Sequence, residues 1–304
     1  MSNIRGFFPK RMQGTALGLN AGIGNLGVSL MQVLLPFVMT FALFGALSGP
    51  GRALPATLGG ASIWIQNSGL VWVPILGVLA VVAWFGMNTL PAHAVGSTLS
   101  AVGKLLWLNL LGFVGAGVGL YLLLGLRWNM WLVLPLTIVA TLALMRYLTP
   151  AQVQERLAKQ FAIFSEKHNW AMTWLYVMTF GSFIGYSAAF PKLIQDVFGS
   201  LPGGGLNPNA PSPLKYAWLG PLVGSLWRPI GGFLSDKYRG ARVTQWATAV
   251  MIVAALGVAY FVKKAAAAPR PEDYFFPFLF LFLLLLITTG IGNGSTFQMI
   301  PAIF

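Results

Sequence analysis

The chain contains no cysteine and few histidine or acidic residues. Its 304 residues include two His and six Asp or Glu. The absence of cysteine excludes disulfides, thiolate metal sites and thiol catalysis together. His93 and His168 both fall in connecting segments, and the sequence has no His/acid cluster, phosphate-binding loop or metal-ligand spacing. The chain is therefore predicted not to be an enzyme and to need no cofactor and no metal.

Charge is also scarce in this sequence. Charged residues make up 8% of the chain and apolar residues 57%, and the mean hydropathy is +0.74. Most of the chain must therefore contact lipid or lie in a core, which predicts an integral membrane protein with the lipid bilayer as its partner. The net charge of +13 does not indicate nucleic-acid binding, because the basic residues are spread over the connections between apolar segments. No obligate protein partner is indicated.

Long apolar runs dominate what is present. A membrane-spanning helix needs about 20 residues, and segments of that length recur along the whole chain. We therefore expect an all-α, polytopic transmembrane helix bundle with about eight spans. The expected spans are 14–46, 69–88, 105–125, 131–148, 170–190, 215–235, 243–262 and 275–304.

The distribution of lysine and arginine predicts the orientation. With the N-terminus in the cytoplasm, the inside connections hold 11 basic residues and the outside ones seven, which favours a cytoplasmic N-terminus in a multi-pass protein of the plasma (inner) membrane. The start of the chain has no cleavable signal pattern. The inside set is Arg5, Lys10, Arg11, Lys104, Arg146, Arg156, Lys159, Lys167, Lys237, Arg239 and Arg242, and the outside set is Arg52, Arg127, Lys192, Lys215, Lys263, Lys264 and Arg270.

Arg228 is a cation where water should be absent. It lies in the apolar stretch 219–234, and the next charged residue, Asp236, is eight residues on, roughly 12 Å along a helix axis. A buried arginine normally faces a polar cavity and has a partner. With no carboxylate in the span, a mobile flat oxyanion would suit its planar donors. The alternative is an arginine bonded to backbone carbonyls of a neighbouring helix.

Small and amide side chains share one face of the first span. Helical spacing aligns Gly14, Gly18, Gly22, Asn25, Ser29, Gln32 and Pro36. The glycines alone are typical of close helix packing, whereas Asn25 and Gln32 on the same face favour a polar pathway. Two later segments carry comparable faces. These are Tyr176, Phe180, Phe183 and Ser187 in one span and Asn293, Ser295, Thr296 and Gln298 in the last.

Four motifs resemble those of the nitrate/nitrite porters of the major facilitator superfamily. Residues 14–36 are similar to the first nitrate signature of that family, and 179–188 (TFGSFIGYSA), 220–236 (GPLVGSLWRPIGGFLSD) and 292–300 (GNGSTFQMI) follow in the family's order. Residues 232–242 (GFLSDKYRGAR) also resemble the cytoplasmic loop motif of the superfamily. The resemblance implies a fold of twelve helices in two halves around a central site.

The resemblance also implies a domain map. Residues 1–88 would end the N-terminal half as helices five and six, and 170–304 would begin the C-terminal half as helices seven to ten. Between them, 89–148 would be an inserted transmembrane hairpin and 149–169 a cytoplasmic linker. The bundle is accordingly expected to be incomplete relative to the family fold.

On this map each candidate residue has an implied role. Arg228 would clamp the anion, Tyr176 would donate from its hydroxyl, and Phe180 would present an aromatic face. Asn25 and Gly22 would line the site from the first signature. Ser295, from the last motif, is expected to be a further substrate-binding residue.

The implied function is transport of nitrate and nitrite by alternating access. All six acidic residues fall outside the expected spans, so no carboxylate could relay a proton, which favours nitrate/nitrite exchange over proton symport. Two alternatives stay open: a transporter of another small oxyanion on the same scaffold, and a nonfunctional fragment of a longer porter.

The hairpin 105–148 should be dispensable for transport, because no family-like motif falls within it. Joining Ala101 directly to Pro150 removes an even number of spans and therefore preserves the orientation of everything that follows. We expect substantial nitrate uptake by this deletion variant at wild-type membrane abundance. A stable deletion variant that no longer transports would place the hairpin in the pathway.

Overall fold

The computed structural model describes residues 8–53, 62–87 and 97–303; Arg5 and His93 lie outside them. Ten helices of ten or more residues account for most of this described part of the chain. They are α1 (Gln13–Val38), α2 (Trp72–Gly86), α3 (Thr98–Leu120), α4 (Met130–Tyr147), α5 (Ala151–Phe161), α6 (Lys167–Tyr176), α7 (Ser182–Phe198), α8 (Leu219–Tyr238), α9 (Gly240–Ala267) and α10 (Phe275–Ile303).

Short elements connect or extend these helices. The strands form two small antiparallel hairpins, β1 with β2 and β3 with β4. Two π-helical turns continue α3 and join α6 to α7. The strands are β1 (Arg52–Ala53), β2 (Ser62–Ile63), β3 (Ser200–Leu201) and β4 (Gly205–Leu206); the π-turns are Tyr121–Gly125 and Val177–Gly181; the short helices are Asn67–Leu70 and Pro213–Tyr216; and the 3₁₀ turns are Lys10–Met12, Gly45–Ser48, Ala162–Ser165 and Pro271–Tyr274.

The prediction of an all-α polytopic bundle is confirmed. Within the described residues, six helical stretches are long and apolar enough to cross a membrane. The expected spans 170–190 and 215–235 also form helices, but they are not among these six. The six are Lys10–Val38, Asn67–Gly86, Leu99–Gly125, Met130–Tyr147, Gly240–Ala267 and Pro271–Ile300.

The first span ends earlier than its hydrophobicity predicts. Helix α1 stops at Val38 rather than near residue 46. Asn67 is fully buried there, and its Nδ2 donates to the carbonyls of Val38, at 3.1 Å, and Phe41. These bonds satisfy carbonyls that a helix end leaves without partners. A polar residue distant in sequence therefore fixes the end of α1.

The described chain divides into two compact units, 1–87 with 172–304, and 88–171. The unit 88–171 contains the antiparallel pair α3 and α4. A Cβ at Gly119 would lie 2.6 Å from Oγ1 of Thr137, and Gly115 similarly meets Thr141, so glycines allow the two helices to approach closely. The Trp107 indole donates to the Leu148 carbonyl at 2.9 Å. This unit contains both the expected hairpin and the expected linker, whose roles stay predictions.

The core of the other unit is built from aromatic side chains of α7 and α10. Phe190 and Phe282 stack with ring centroids 4.3 Å apart and planes 9° from parallel, and both are almost completely buried. Phe198 and Phe278 extend the cluster. Aromatic side chains of this kind bury a large area each, so this cluster holds α7 against α10.

Helices α1 and α8 run antiparallel at a distance that only glycine permits. A Cβ at Gly18 would lie 2.8 Å from the carbonyl oxygen of Arg228, and one at Gly22 would lie 2.8 Å from that of Ser225. Gly294 of α10 packs on the same Arg228 backbone. The glycine stripe of α1 is thus a packing surface along its first half, and it fixes the position of the Arg228 backbone.

Asp236, in the last turn of α8, caps the beginning of α1. Its carboxylate accepts hydrogen bonds from the backbone N–H of Gly14, at 3.1 Å, and from the N–H and hydroxyl of Thr15, at 2.8 and 2.7 Å. A negative charge at a helix N-terminus is also favoured by the helix dipole. Asp236 therefore joins the two helices at the end where the chain leaves α8.

Asp236→Asn should weaken this junction, because the amide loses the charge and keeps only one accepting oxygen, the other being replaced by an NH2 donor. We expect the free energy of unfolding to fall by roughly 1–3 kcal/mol, measured by denaturant titration of the purified protein in detergent. Lys237→Gln, at the exposed neighbouring position, is the matched control and should leave stability unchanged. Equal stability of Asp236→Asn and wild type would show that the cap is not needed.

Candidate anion-binding site

Arg228 is completely buried within α8, with 0% of its surface exposed. Its Nη1 donates to the Ala21 carbonyl of α1 at 3.3 Å. Its Nε and Nη2 have no hydrogen-bond partner among the described residues. The backbone-bonded alternative is therefore realised at one nitrogen only. Two donor nitrogens of a planar fork stay open, and a buried donor without a partner is costly.

Two aromatic rings lie against the guanidinium. The Cζ of Arg228 is 4.3 Å from the ring centroid of Phe183 and 5.2 Å from that of Phe180. The two rings are 11° from parallel. Cation–π contact of this kind is strongest where water is excluded. The rings thus stabilise the cation without occupying its hydrogen-bond donors.

A π-helical turn determines which residues of α6 and α7 face the arginine. The turn Val177–Gly181 lies between Tyr176 and Ser182. Such a turn adds a residue to the helical repeat and is frequent at functional sites. Tyr176 packs against Phe180 at 5.0 Å and against Phe297 of α10 at 5.9 Å. Phe180 in turn lies against the Arg228 guanidinium, so the structure brings Tyr176, Phe180 and Arg228 together.

Asn25 reaches the arginine through a shared backbone atom. Its Nδ2 donates to the Ala21 carbonyl at 2.6 Å, and that carbonyl is the one that Arg228 uses. Asn25 is thereby held beside the guanidinium on α1. Gly22, in contrast, packs directly on Ser225 and Pro229 of α8. Its role is therefore to let α1 lie close to α8.

Ser295 lies on a different side of α10. It is fully buried, shares a 2.6 Å hydrogen bond with the Thr244 hydroxyl of α9 and donates to the Gly292 carbonyl at 2.8 Å. Both bonds connect it to α9 or to its own helix. The structure therefore brings Ser295 to α9 rather than to the Arg228 guanidinium.

Three further residues of α7, α8 and α10 were not predicted as site residues. Phe183 gives the shortest ring contact, and Ser225 and Asn293 are buried with side-chain atoms that lack partners among the described residues. Helical spacing already aligned Phe183 with Phe180, and it could also have indicated Ser225, which precedes Arg228 by three residues. No group of three His, Asp or Glu side chains able to hold a metal occurs among the described residues.

Curated relatives cover nearly the whole chain. A probable nitrate/nitrite antiporter of Thermus thermophilus, NarK2, is 38% identical over 299 residues, which are 98% of this chain and 51% of that protein. The NarU transporters of Salmonella typhimurium and Escherichia coli are 31% and 30% identical over 304 residues, which are 100% of this chain and 49% of each protein. These relatives are nitrate/nitrite transporters.

The predicted resemblance to nitrate/nitrite transporters is thereby confirmed along the chain. The chain spans about half the length of the curated relatives that it matches. No protein-family model matches it. Similarity to these bacterial transporters, together with six candidate spans in the described residues, identifies a multi-pass membrane protein.

Gly22→Leu should destabilise the protein because its side chain would collide with the Ser225 carbonyl. Overpacking of this kind costs about 1–3 kcal/mol or more. Gly24→Leu is the matched control, since a Cβ there meets nothing within 4 Å, and it should keep wild-type stability. The measurement is the thermal unfolding midpoint and the membrane abundance of each variant. Equal stability of the two variants would refute the close packing of α1 on α8.

Proposed function

We propose that this protein transports nitrate and nitrite across the plasma (inner) membrane by nitrate/nitrite exchange. The observation that carries the proposal is the buried guanidinium of Arg228, whose Nε and Nη2 lack partners among the described residues. A monovalent anion would neutralise this charge and accept both open donors. The similarity to nitrate/nitrite transporters supports nitrate and nitrite as the anions.

The chemistry of the surrounding groups fits a small planar oxyanion. Nitrate and nitrite present two coplanar oxygens to a guanidinium fork, which allows a bidentate, charge-assisted pair. Phe180 and Phe183 lie against the guanidinium and exclude water from it. Exclusion of water strengthens the electrostatic attraction between arginine and anion. Halides, which are spherical, would use only part of this geometry.

Three other side chains have subordinate roles in the proposal. The Tyr176 hydroxyl donates a hydrogen bond to the anion. Asn25 positions the Ala21 carbonyl that orients Arg228. Gly22 acts by letting α1 approach α8. Ser295 keeps its proposed substrate role only in a conformation in which it leaves Thr244.

The positions of the acidic residues support exchange over proton symport. Asp236 lies in the last turn of α8, and its carboxylate accepts hydrogen bonds from the first N–H groups of α1. Asp196 lies in the last turn of α7 and forms an ion pair with Lys192. The others lie in α5 or in connecting turns. A carboxylate at mid-membrane depth is what a proton relay would use. The complete set of acidic residues is Glu155, Glu166, Asp196, Asp236, Glu272 and Asp273.

The orientation and domain map belong to the same proposal. The basic segment before α1 faces the cytoplasm, as the excess of inside lysine and arginine favours. Residues 1–88 and 170–304 correspond to helices five to six and seven to ten of the family fold. The hairpin 89–148 and the linker 149–169 are additional to the transport helices.

Arg228→Lys should reduce nitrate uptake by roughly tenfold or more, because an ammonium cannot reproduce the planar fork. The assay is uptake of isotopically labelled nitrate by proteoliposomes loaded with nitrite. Arg270→Lys is the matched control: it makes the same change at a side chain that is 71% exposed, and should transport like wild type.

Each part of the proposal has its own contradicting result. Near-normal uptake by Arg228→Lys would show that the arginine is structural. Uptake driven by a proton gradient in the absence of internal nitrite would refute exchange. Uptake of a different oxyanion in preference to nitrate and nitrite would identify another substrate.

A further inference from the structure

Asn293, in the second half of α10, is a buried amide without a hydrogen-bond partner among the described residues. Its side chain is 0% exposed, and both Nδ2 and Oδ1 lack a partner there. The neighbouring hydroxyls differ. Thr289 donates to the Leu286 carbonyl at 2.8 Å, and Thr296 donates to the Asn293 carbonyl at 2.8 Å. These two threonine hydroxyls are therefore satisfied within their own helix, whereas the Asn293 amide is not.

The packing of α10 brings Asn293 to the level of the arginine. The preceding residue, Gly292, packs on Thr179 in the π-turn that carries Phe180. The following residue, Gly294, packs on the backbone of Arg228. Asn293 thus lies between the segment that supplies the aromatic rings and the segment that supplies the cation.

The face of α10 on which Asn293 lies is the one that meets Tyr176. Phe297 is four residues after Asn293 and therefore shares its helical face. Its ring contacts Tyr176 at 5.9 Å and packs with Leu17 and Ala21 of α1. Ala21 supplies the carbonyl that binds Arg228. The amide consequently lies on the same side of α10 as the guanidinium and the tyrosine.

A buried amide that makes no hydrogen bond destabilises the folded protein relative to an apolar side chain of the same size. Leucine at this position would pack without that cost. A ligand that accepts from Nδ2 removes the cost and explains why an amide occupies the position. Arg228 leaves Nε and Nη2 open in the same part of the protein, so the same ligand can serve both residues.

We propose that Asn293 is a substrate-binding residue whose Nδ2 donates to one oxygen of the anion held by Arg228, and that it sets the preference for oxyanions over halides. The inference rests on the proposed function for the identity of the anion. A directed donor distinguishes an anion with separate oxygens from a spherical one, because a site built to hydrogen-bond a substrate group discriminates against analogues that lack it.

The test compares Asn293→Leu with wild type by calorimetric titration of the purified protein with nitrate, nitrite and chloride. Leucine is similar in size and carries no polar group. We expect nitrate affinity to fall at least tenfold and chloride affinity to stay unchanged. The thermal unfolding midpoint without anion should be equal to or above that of wild type, since an unsatisfied amide is removed.

The matched control is Thr288→Val on the same helix. Thr288 is also buried, but its hydroxyl already donates to the Leu285 carbonyl at 2.7 Å. The valine variant should bind nitrate like wild type. If Asn293→Leu does not fold, Asn293→Ala replaces it with the same expected loss of nitrate affinity.

The outcomes separate this inference from the proposed function. Wild-type binding of nitrate together with unchanged nitrate affinity in the folded Asn293 variant would overturn the role of Asn293 alone. An equal loss of nitrate and chloride affinity would overturn its role in selecting oxyanions. Failure of the wild-type protein to bind nitrate or nitrite would overturn the proposed function, and the role of Asn293 with it.

Discussion

The structure depends on one electrostatic constraint, the enclosure of the Arg228 guanidinium away from water. A cation with 0% exposure is destabilising unless groups around it compensate. One carbonyl and two aromatic rings do so in part, and two nitrogens stay open. This partial compensation is what distinguishes the site from a structural arginine, whose donors would all be bonded to protein.

Close helix packing maintains that enclosure. Gly18, Gly22 and Gly294 allow α1 and α10 to approach the backbone of α8 around Arg228. Any residue larger than glycine at these positions would separate the helices and admit water or lipid. Asp236 then closes one end of the α1–α8 contact. The glycine motifs and the arginine are therefore parts of one arrangement, because the close packing at the glycines excludes solvent from the arginine.

Much of this arrangement could be predicted from the sequence. A lone arginine in an apolar stretch indicated a buried cation, and helical spacing placed Tyr176 and Phe180 on one face of their span. The glycine stripe of α1 allowed two interpretations, and the structure supports packing at Gly18 and Gly22, while Asn25 lies beside the cation through Ala21.

Other features could not be predicted from sequence patterns. The π-turn Val177–Gly181 has no sequence signature, and it alters which residues face Arg228. Ser295 shares its motif with Asn293, yet Ser295 bonds to Thr244 of α9 whereas the Asn293 amide has no partner among the described residues. The early end of α1 depends on Asn67, a contact between residues far apart in the chain. Each of these depends on tertiary packing.

The most direct test of the central claim is a distance between the guanidinium and a bound anion. Solid-state NMR can measure dipolar coupling between ¹⁵N-labelled nitrate and the ¹³Cζ of labelled arginine in the reconstituted protein. A bidentate pair predicts one arginine signal with a carbon–nitrogen distance of about 4 Å, absent in Arg228→Lys. Bound nitrate that shows no coupling to arginine, or the same coupling in the lysine variant, would contradict the account.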